Sequence, residues 1–160
     1  MLSIRSTTAA DAPLLTTLIR ELAEFERLSH EASLTEADIA RDGFGAAPKF
    51  RSLLAEWDGR AAGYAVFFEF YSTFQGRPGL FLEDIFVRPE FRKHGIGKAL
   101  LARVADIARK EHYFCVRWEV LDWNTHAIDF YAKLGALFLD EWKSACLIGD
   151  ALETVAEEAR

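Results

Sequence analysis

Apolar positions along this chain recur first at helical spacing, then in short continuous runs, then at helical spacing again, and each change marks an element. Leu2 to Arg5 reads as a short strand. Thr8, with Asp11 three residues on, forms a capping box for a helix carrying Leu14, Leu15, Leu18, Leu22 and Phe25 on one side. Thr35 and Asp38 repeat that signal and predict a shorter helix running to the turn at Gly43 to Gly45. From Phe50 the pattern predicts an antiparallel meander: RSLLAEW, a tight turn at Asp58-Gly59, AAGYAVFFEFY, the loop STFQGRPG, then LFLEDIFV. A glycine-bearing loop follows and opens a helix with Leu100, Leu101, Val104, Ile107 and Ala108 on one face. A strand FCVRWEVL, a helix after Asn124 ended by Gly135, and a strand near SACLIG complete the order. No internal repeat, low-complexity tract or linker is visible, so residues 1–160 read as one domain, a mixed sheet flanked by helices.

Composition narrows the class. With 51% hydrophobic and 28% charged residues the chain has the make-up of a soluble globular protein, and its longest apolar stretches, such as AAGYAVFF, are too short to span a bilayer. The start, MLSIRSTTAADAPLL, lacks the basic region, apolar run and cleavage site of a signal peptide, so a cytoplasmic protein is expected. A net charge of -6 argues against general nucleic-acid binding and permits a cationic substrate. Cys115 and Cys146 each lie in an apolar stretch; disulfide, catalytic thiol and buried thiol are the readings, and burial is the usual fate of such cysteines. His30, His94, His112 and His126 have no partner at ligand spacing, so no metal site is expected.

The loop within FRKHGIGKALLARV carries R-x-x-G-x-G, from Arg92 through Gly95 to Gly97. A Walker loop would need a glycine where Phe91 stands and a hydroxyl where Ala99 stands. A dinucleotide loop would need a third glycine and a place in a chain-initial βαβ unit. What remains is a helix N-terminus whose amides are unobstructed where glycine sits, with Arg92, Lys93, His94 and Lys98 adding positive charge. That suits a pyrophosphate; a plain strand-to-helix turn is the other reading.

Context separates the two. The segments IRSTTAAD, LIRELAEFE, LTEADIARDGFG, LEDIFV, FRKHGIG and WNTHAIDFYAKLGA stand in this order, and together they resemble the GNAT superfamily of acetyltransferases. The resemblance is to its spermidine/spermine (diamine) and thialysine N-acetyltransferase branch and covers nearly the whole chain to about Ala136. It implies an α/β (α+β) GNAT fold, with a central mixed, mostly antiparallel sheet of about six to seven strands flanked by four helices. It further implies acetyl-coenzyme A as cosubstrate, no metal, a small-molecule amine acceptor, and a homodimer joined through the C-terminal strand and the acidic tail ALETVAEEAR. By the same resemblance Arg92, Lys93, His94, Gly95, Ile96, Gly97 and Lys98 hold the pyrophosphate and Asn124 contacts coenzyme A. The resemblance also implies a splay of the strand that brings Ile85, Phe86 and Val87 to the pantetheine arm.

Acetyl transfer to an amine needs a neutral amine, a sink for the oxyanion and a proton for the leaving thiolate. Glu83 and Asp84 lie side by side in an apolar strand, where burial would raise their pKa toward that of a working base. Alternatively one or both face solvent at a strand edge, since neighbours on a strand point to opposite sides. The resemblance makes Glu83 the general base, directly or through water, and gives Asp84 to the amine. Asn124 and Tyr131, seven residues apart, share one helix face, and the resemblance makes Tyr131 the general acid, a role suited to a phenol protonated at neutral pH. A rim tyrosine with a purely packing role is the alternative. Between Arg20 and Asp42 stand seven acids against three arginines, chiefly a solvated face, and among them Glu26 matches a substrate-contacting glutamate of the polyamine branch. The loop YSTFQGRPG lacks that branch's tryptophan and adds Arg77, so a thialysine-like amino acid stands beside polyamines and diamines as acceptor. A protein lysine or N-terminal acetyltransferase and a non-catalytic acyl-coenzyme A binding module are the rival readings.

Overall fold

The computed structural model describes residues 1–159. They form two compact units, one running Met1–Glu119 and the other beginning at Val120. The first carries β1 (Leu2–Ser6), α1 (Ala12–Phe25), α2 (Glu36–Phe44), β2 (Arg51–Trp57), β3 (Arg60–Ser72), β4 (Arg77–Val87), α3 (Ile96–Lys110) and β5 (Val116–Arg117). Its sheet has the order β1-β2-β3-β4-β5, antiparallel except for the parallel pair β4–β5. The second unit carries α4 (Thr125–Lys133) and α5 (Gly149–Glu157).

Local chemistry places the helices as the sequence predicts. At the start of α2 the box is reciprocal: Asp38 donates its amide to Thr35 Oγ1 at 3.2 Å, and Thr35 donates its amide to Asp38 Oδ2 at 2.9 Å. Thr8 donates likewise to Asp11 at 2.7 Å, which opens a short 3-10 turn ahead of α1. Arg5 grips Asp11 through two 2.8 Å hydrogen bonds, and this pairing holds the Asp11 carboxyl well below the usual range.

One face of the sheet packs on α1 and α2. Leu15, Leu18 and Leu22 meet Ile39 from α2 and Leu54, Tyr64, Val66 and Phe86 from the strands. The opposite face, with Leu53, Ala65 and Leu82, is covered by α3 through Leu100, Val104 and Ile107. Near the middle of the sheet the backbones close up: a Cβ on Gly63 would lie 2.3 Å from the Phe86 carbonyl oxygen, so only glycine fits there.

The sheet has five strands where about six to seven were expected. The strand expected across FCVRWEVL shrinks to Val116–Arg117, because β4 leaves it after Phe81. Near SACLIG no ladder forms; those residues are exposed, Cys146 with them, and an extended segment without a partner strand is not a stable strand. The acidic tail is helical, as α5, so the described residues hold five α-helices against the expected four. No helix among the described residues is long and apolar enough to cross a membrane.

Candidate active site

Between Val87 and the start of α3 the chain makes one 3-10 turn and then the glycine loop. Lys93 and Gly95 both take the left-handed conformation, with φ of 66° and 76°. Gly95 does so as N-cap of α3, where a side chain would be strained. A Cβ on Gly95 would meet nothing within 4 Å, and one on Gly97 only Val87 Cγ2 at 3.8 Å, so the space above the first turn is open. Ile96, 2% exposed, anchors that turn in the core. Helix geometry gives the amides of Ile96, Gly97 and Lys98 no intrahelical acceptor, and Lys93 and Lys98 are exposed beside them. This is an anion cradle.

Two of the loop's nitrogen-bearing side chains turn away from it. Arg92 donates Nε–H to the Val87 carbonyl at 3.0 Å and lays its guanidinium 4.6 Å over the Phe25 ring at the end of α1. His94 brings Nδ1 to 2.9 Å from the Arg92 carbonyl oxygen and packs its ring 4.8 Å from Trp57. Both brace the loop.

The cradle adjoins the end of β4, where the ladder is interrupted. Phe67 pairs with Leu82 and Val66 with Asp84, so Glu83 is an extra residue, a β-bulge. Without it Leu82 and Asp84, two apart, would share a face; with it Leu82 packs under α3 and Asp84 turns to the α1 side. Pairing with β5 stops at Phe81, just before the bulge, and the edge of β4 from Leu82 to Val87 is left without a neighbouring strand. Arg88 donates its amide to Ala62 of β3 at 2.9 Å. By antiparallel alternation Phe86 and Asp84 also turn their peptides to β3, and Ile85 and Val87 turn theirs to the open edge. Phe86 sends its ring, 5% exposed, into the core.

On the α1 side of the bulge lies a cluster of acids. Asp84 accepts a 3.1 Å hydrogen bond from the hydroxyl of Tyr64, which is itself fully buried. Burial pushes the Asp84 carboxyl up to about 6; nearby Glu83 and Glu26 push the same way and the Tyr64 hydroxyl opposes them. Glu26, at the C-terminal end of α1, is half-buried and also raised, by desolvation. Glu83 is exposed. A cleft of about 460 Å³ runs between α1 and the end of β4, lined by Phe25, Phe86 and Arg92 among others. In its wall Arg88 is held by Glu21 through bonds of 2.6 and 2.7 Å, and Glu24 and Glu90 add negative charge. Sequence reasoning passed over Tyr64, one aromatic in an apolar run, and the Arg88–Glu21 pair, whose members are 67 residues apart.

In the second unit Asn124 caps α4, its Oδ1 accepting from the Ala127 amide at 3.2 Å. Tyr131 lies two turns on, 6% exposed, with its ring 5.2 Å from that of Phe130. The helix closes at Gly135, whose φ of 83° lets Ala136 donate to the Tyr131 carbonyl at 3.1 Å. Among the described residues no three His, Cys, Asp or Glu side chains could hold a metal ion.

The raised Asp84 fixes the sign of a pH effect. A carboxyl whose folded pKa lies above its unfolded value binds more protons when folded, so stability falls as pH rises from about 4 to about 6 and is level above. The rise from 3.8 to about 6 corresponds to about 3 kcal/mol. Asp84→Asn is expected to unfold at higher denaturant than the parent at pH 8 and to lose that advantage at pH 4, measured by urea titration at both pH values.

Residues 15–136 match the acetyltransferase (GNAT) family. The chain is 38% identical to a thialysine N-epsilon-acetyltransferase of Sus scrofa, over 96% of each. It is 32% identical to an L-ornithine N5-acetyltransferase of Arabidopsis thaliana, over 95% of this chain and 86% of that one. Among solved structures, an integron cassette protein from the mobile metagenome of V. cholerae superposes with a TM-score of 0.82 over 98% of both chains at 21% identity, a likeness of fold. A family match spanning the meander, the bulged strand, the glycine loop and α4, with relatives similar from end to end, places the chain in the GNAT family of N-acetyltransferases.

Proposed function

We propose that the protein moves an acetyl group from acetyl-coenzyme A directly to a primary amine of a small cationic acceptor, both substrates being bound together. The observation that carries the reading is the open edge of β4, flanked on one side by the anion cradle and on the other by the half-buried Asp84. A thioester arm laid along that edge meets the backbone groups of Ile85 and Val87, with Phe86 between them turned to β3. The pyrophosphate takes the amides of Gly95, Ile96, Gly97 and Lys98 with the ammonium groups of Lys93 and Lys98, and Asn124 adds a contact to coenzyme A. Arg92 and His94 keep the loop in shape.

On the amine side Asp84 and Glu26 receive the cation, and Glu21, Glu24 and Glu90, which line the cleft between α1 and the end of β4, add to the negative potential that steers it inward. Glu83 takes the amine proton, directly or through water. The amine nitrogen then bonds to the thioester carbon. A β4 amide donates to the oxygen that gains charge, the carbon–sulfur bond breaks as Tyr131 gives its phenolic proton to the sulfur, and the proton shed by the new amide nitrogen restores the phenol. Acceptors that fit are polyamines, diamines and thialysine-like amino acids. The relatives named for thialysine and L-ornithine favour a side-chain amine of an amino acid.

We further infer a homodimer. In the second unit Leu137 is 89% exposed, Ile148 74% and Trp142 67%, and residues 143–148 have no regular secondary structure and no ladder partner among the described residues. A second copy supplying strand edge and apolar cover suits such a surface.

Thiol release from acetyl-coenzyme A is expected to saturate with one or more of thialysine, ornithine, lysine, spermidine, spermine and small diamines. Tyr131→Phe is expected to lower that turnover about 100-fold with acetyl-coenzyme A affinity retained. Release with a lysine-containing peptide alone would establish the protein acetyltransferase instead, and binding without release for any amine the binding module. Gly97→Ala has room in the fold, so it is expected to keep the parent's melting temperature while weakening acetyl-coenzyme A by about tenfold or more in calorimetry, since the methyl group stands over the cradle. In sedimentation at micromolar concentration the expected species has twice the chain mass, and a monomer would sink the dimer.

A further inference from the structure

Tyr64 is the largest side chain in the core with no accessible surface, and it is the one that brings a hydroxyl to the α1 face of the sheet beside Asp84. It sits on β3 opposite Phe86, and Asp84 sits opposite Val66, so the two are diagonal neighbours on one face. Leu54 and Phe86 pack with its ring, the Phe86 ring at 6.3 Å and 56°, and fix where the hydroxyl points. A phenol so buried needs an acceptor, and Asp84 Oδ2 lies 3.1 Å away.

We propose that Tyr64 is a positioning residue for the amine subsite: its hydroxyl occupies one oxygen of Asp84 and holds the carboxylate in the orientation that receives the acceptor's ammonium group. This rests on the reading that Asp84 meets the amine. The surroundings show why a positioning donor is needed. Glu83 on the same strand, Glu26 just past the end of α1 and burial itself all disfavour charge on Asp84. Glu21 on α1 is the further acid felt at Tyr64, and it is paired with Arg88. Among the groups acting on Asp84, the Tyr64 hydroxyl alone favours the anion. A phenol that stays protonated throughout the working range is the suitable donor: burial and Asp84 both push its own ionisation well upward. The bulge at Glu83 brings the pair together, since it turns Asp84 to the face that Tyr64 occupies.

The test is Tyr64→Phe, which keeps the ring and removes the bond. The Asp84 side-chain carboxyl is followed by carbon NMR against pH in the free protein, and Michaelis constants are measured for the amine identified by thiol release and for acetyl-coenzyme A. Expected are an Asp84 midpoint moved to higher pH, an amine KM raised about tenfold and an unchanged acetyl-coenzyme A KM, with no further rise in amine KM when Tyr64→Phe is added to Asp84→Asn. An unmoved Asp84 midpoint overturns the proposal, whatever the kinetics. A moved midpoint with an unchanged amine KM also overturns it; if Asp84→Asn then leaves that KM unchanged as well, Asp84 does not meet the amine and the underlying reading fails with it. Should Tyr64→Phe fail to fold, 3,5-difluorotyrosine at position 64 replaces it. This stronger donor is expected to move the Asp84 midpoint to lower pH, and no movement overturns the proposal.

Discussion

Glu83 is one residue more than β3 can pair, and the arrangement of the first unit hangs on that surplus. An extra residue in one strand of a ladder bends the strand and reverses the facing of all that follows. Here it separates Leu82, which α3 needs as core, from Asp84, which the other face needs as an acid. It also coincides with the end of the β4–β5 pairing, so the peptides of Ile85 and Val87 lack a strand neighbour. An unpaired edge is ordinarily a hazard of aggregation. On the proposed reading, it is the place where an extended amide-bearing arm binds as a strand would.

The two sides of β4 differ in how they handle charge. Around the glycine loop the charges are solvated and the backbone supplies the directed donors. Around Asp84 the charge is taken out of water and surrounded by acids, an arrangement that costs folding energy and suits a cationic guest. Family membership and enzymatic class follow from the comparisons; the separation of a hydrated anion cradle from a partly desolvated acid cluster is what supports the proposed placing of the two substrates.

Much of this was legible in the sequence where the signal is local. The capping boxes at Thr8 and Thr35, the meander and the glycine at the start of α3 depend on neighbours a few residues away, and they stand where the pattern puts them. The bulge was not legible, because LFLEDIFV reads as an apolar strand whichever residue is surplus, and only the partner strand settles it. The same holds for the pairing of Val116 and Arg117, cut short by the course of β4, and for SACLIG, whose β-like composition has no strand beside it. Tyr64 was invisible for a different reason. One hydroxyl in GYAVFF carries no periodic mark, and its importance comes from a residue 20 positions away.

Arg92 shows how a signature residue can be retained for reasons other than the one its motif suggests. Its Nε–H is spent on the Val87 carbonyl and its charge on the ring of Phe25, so it ties together the end of β4, the loop and the end of α1. That tie is made wholly within the protein and involves no guest. The arginine of R-x-x-G-x-G thus has an architectural role, and the glycines, whose missing side chains leave the first turn of α3 open, leave room for the proposed guest.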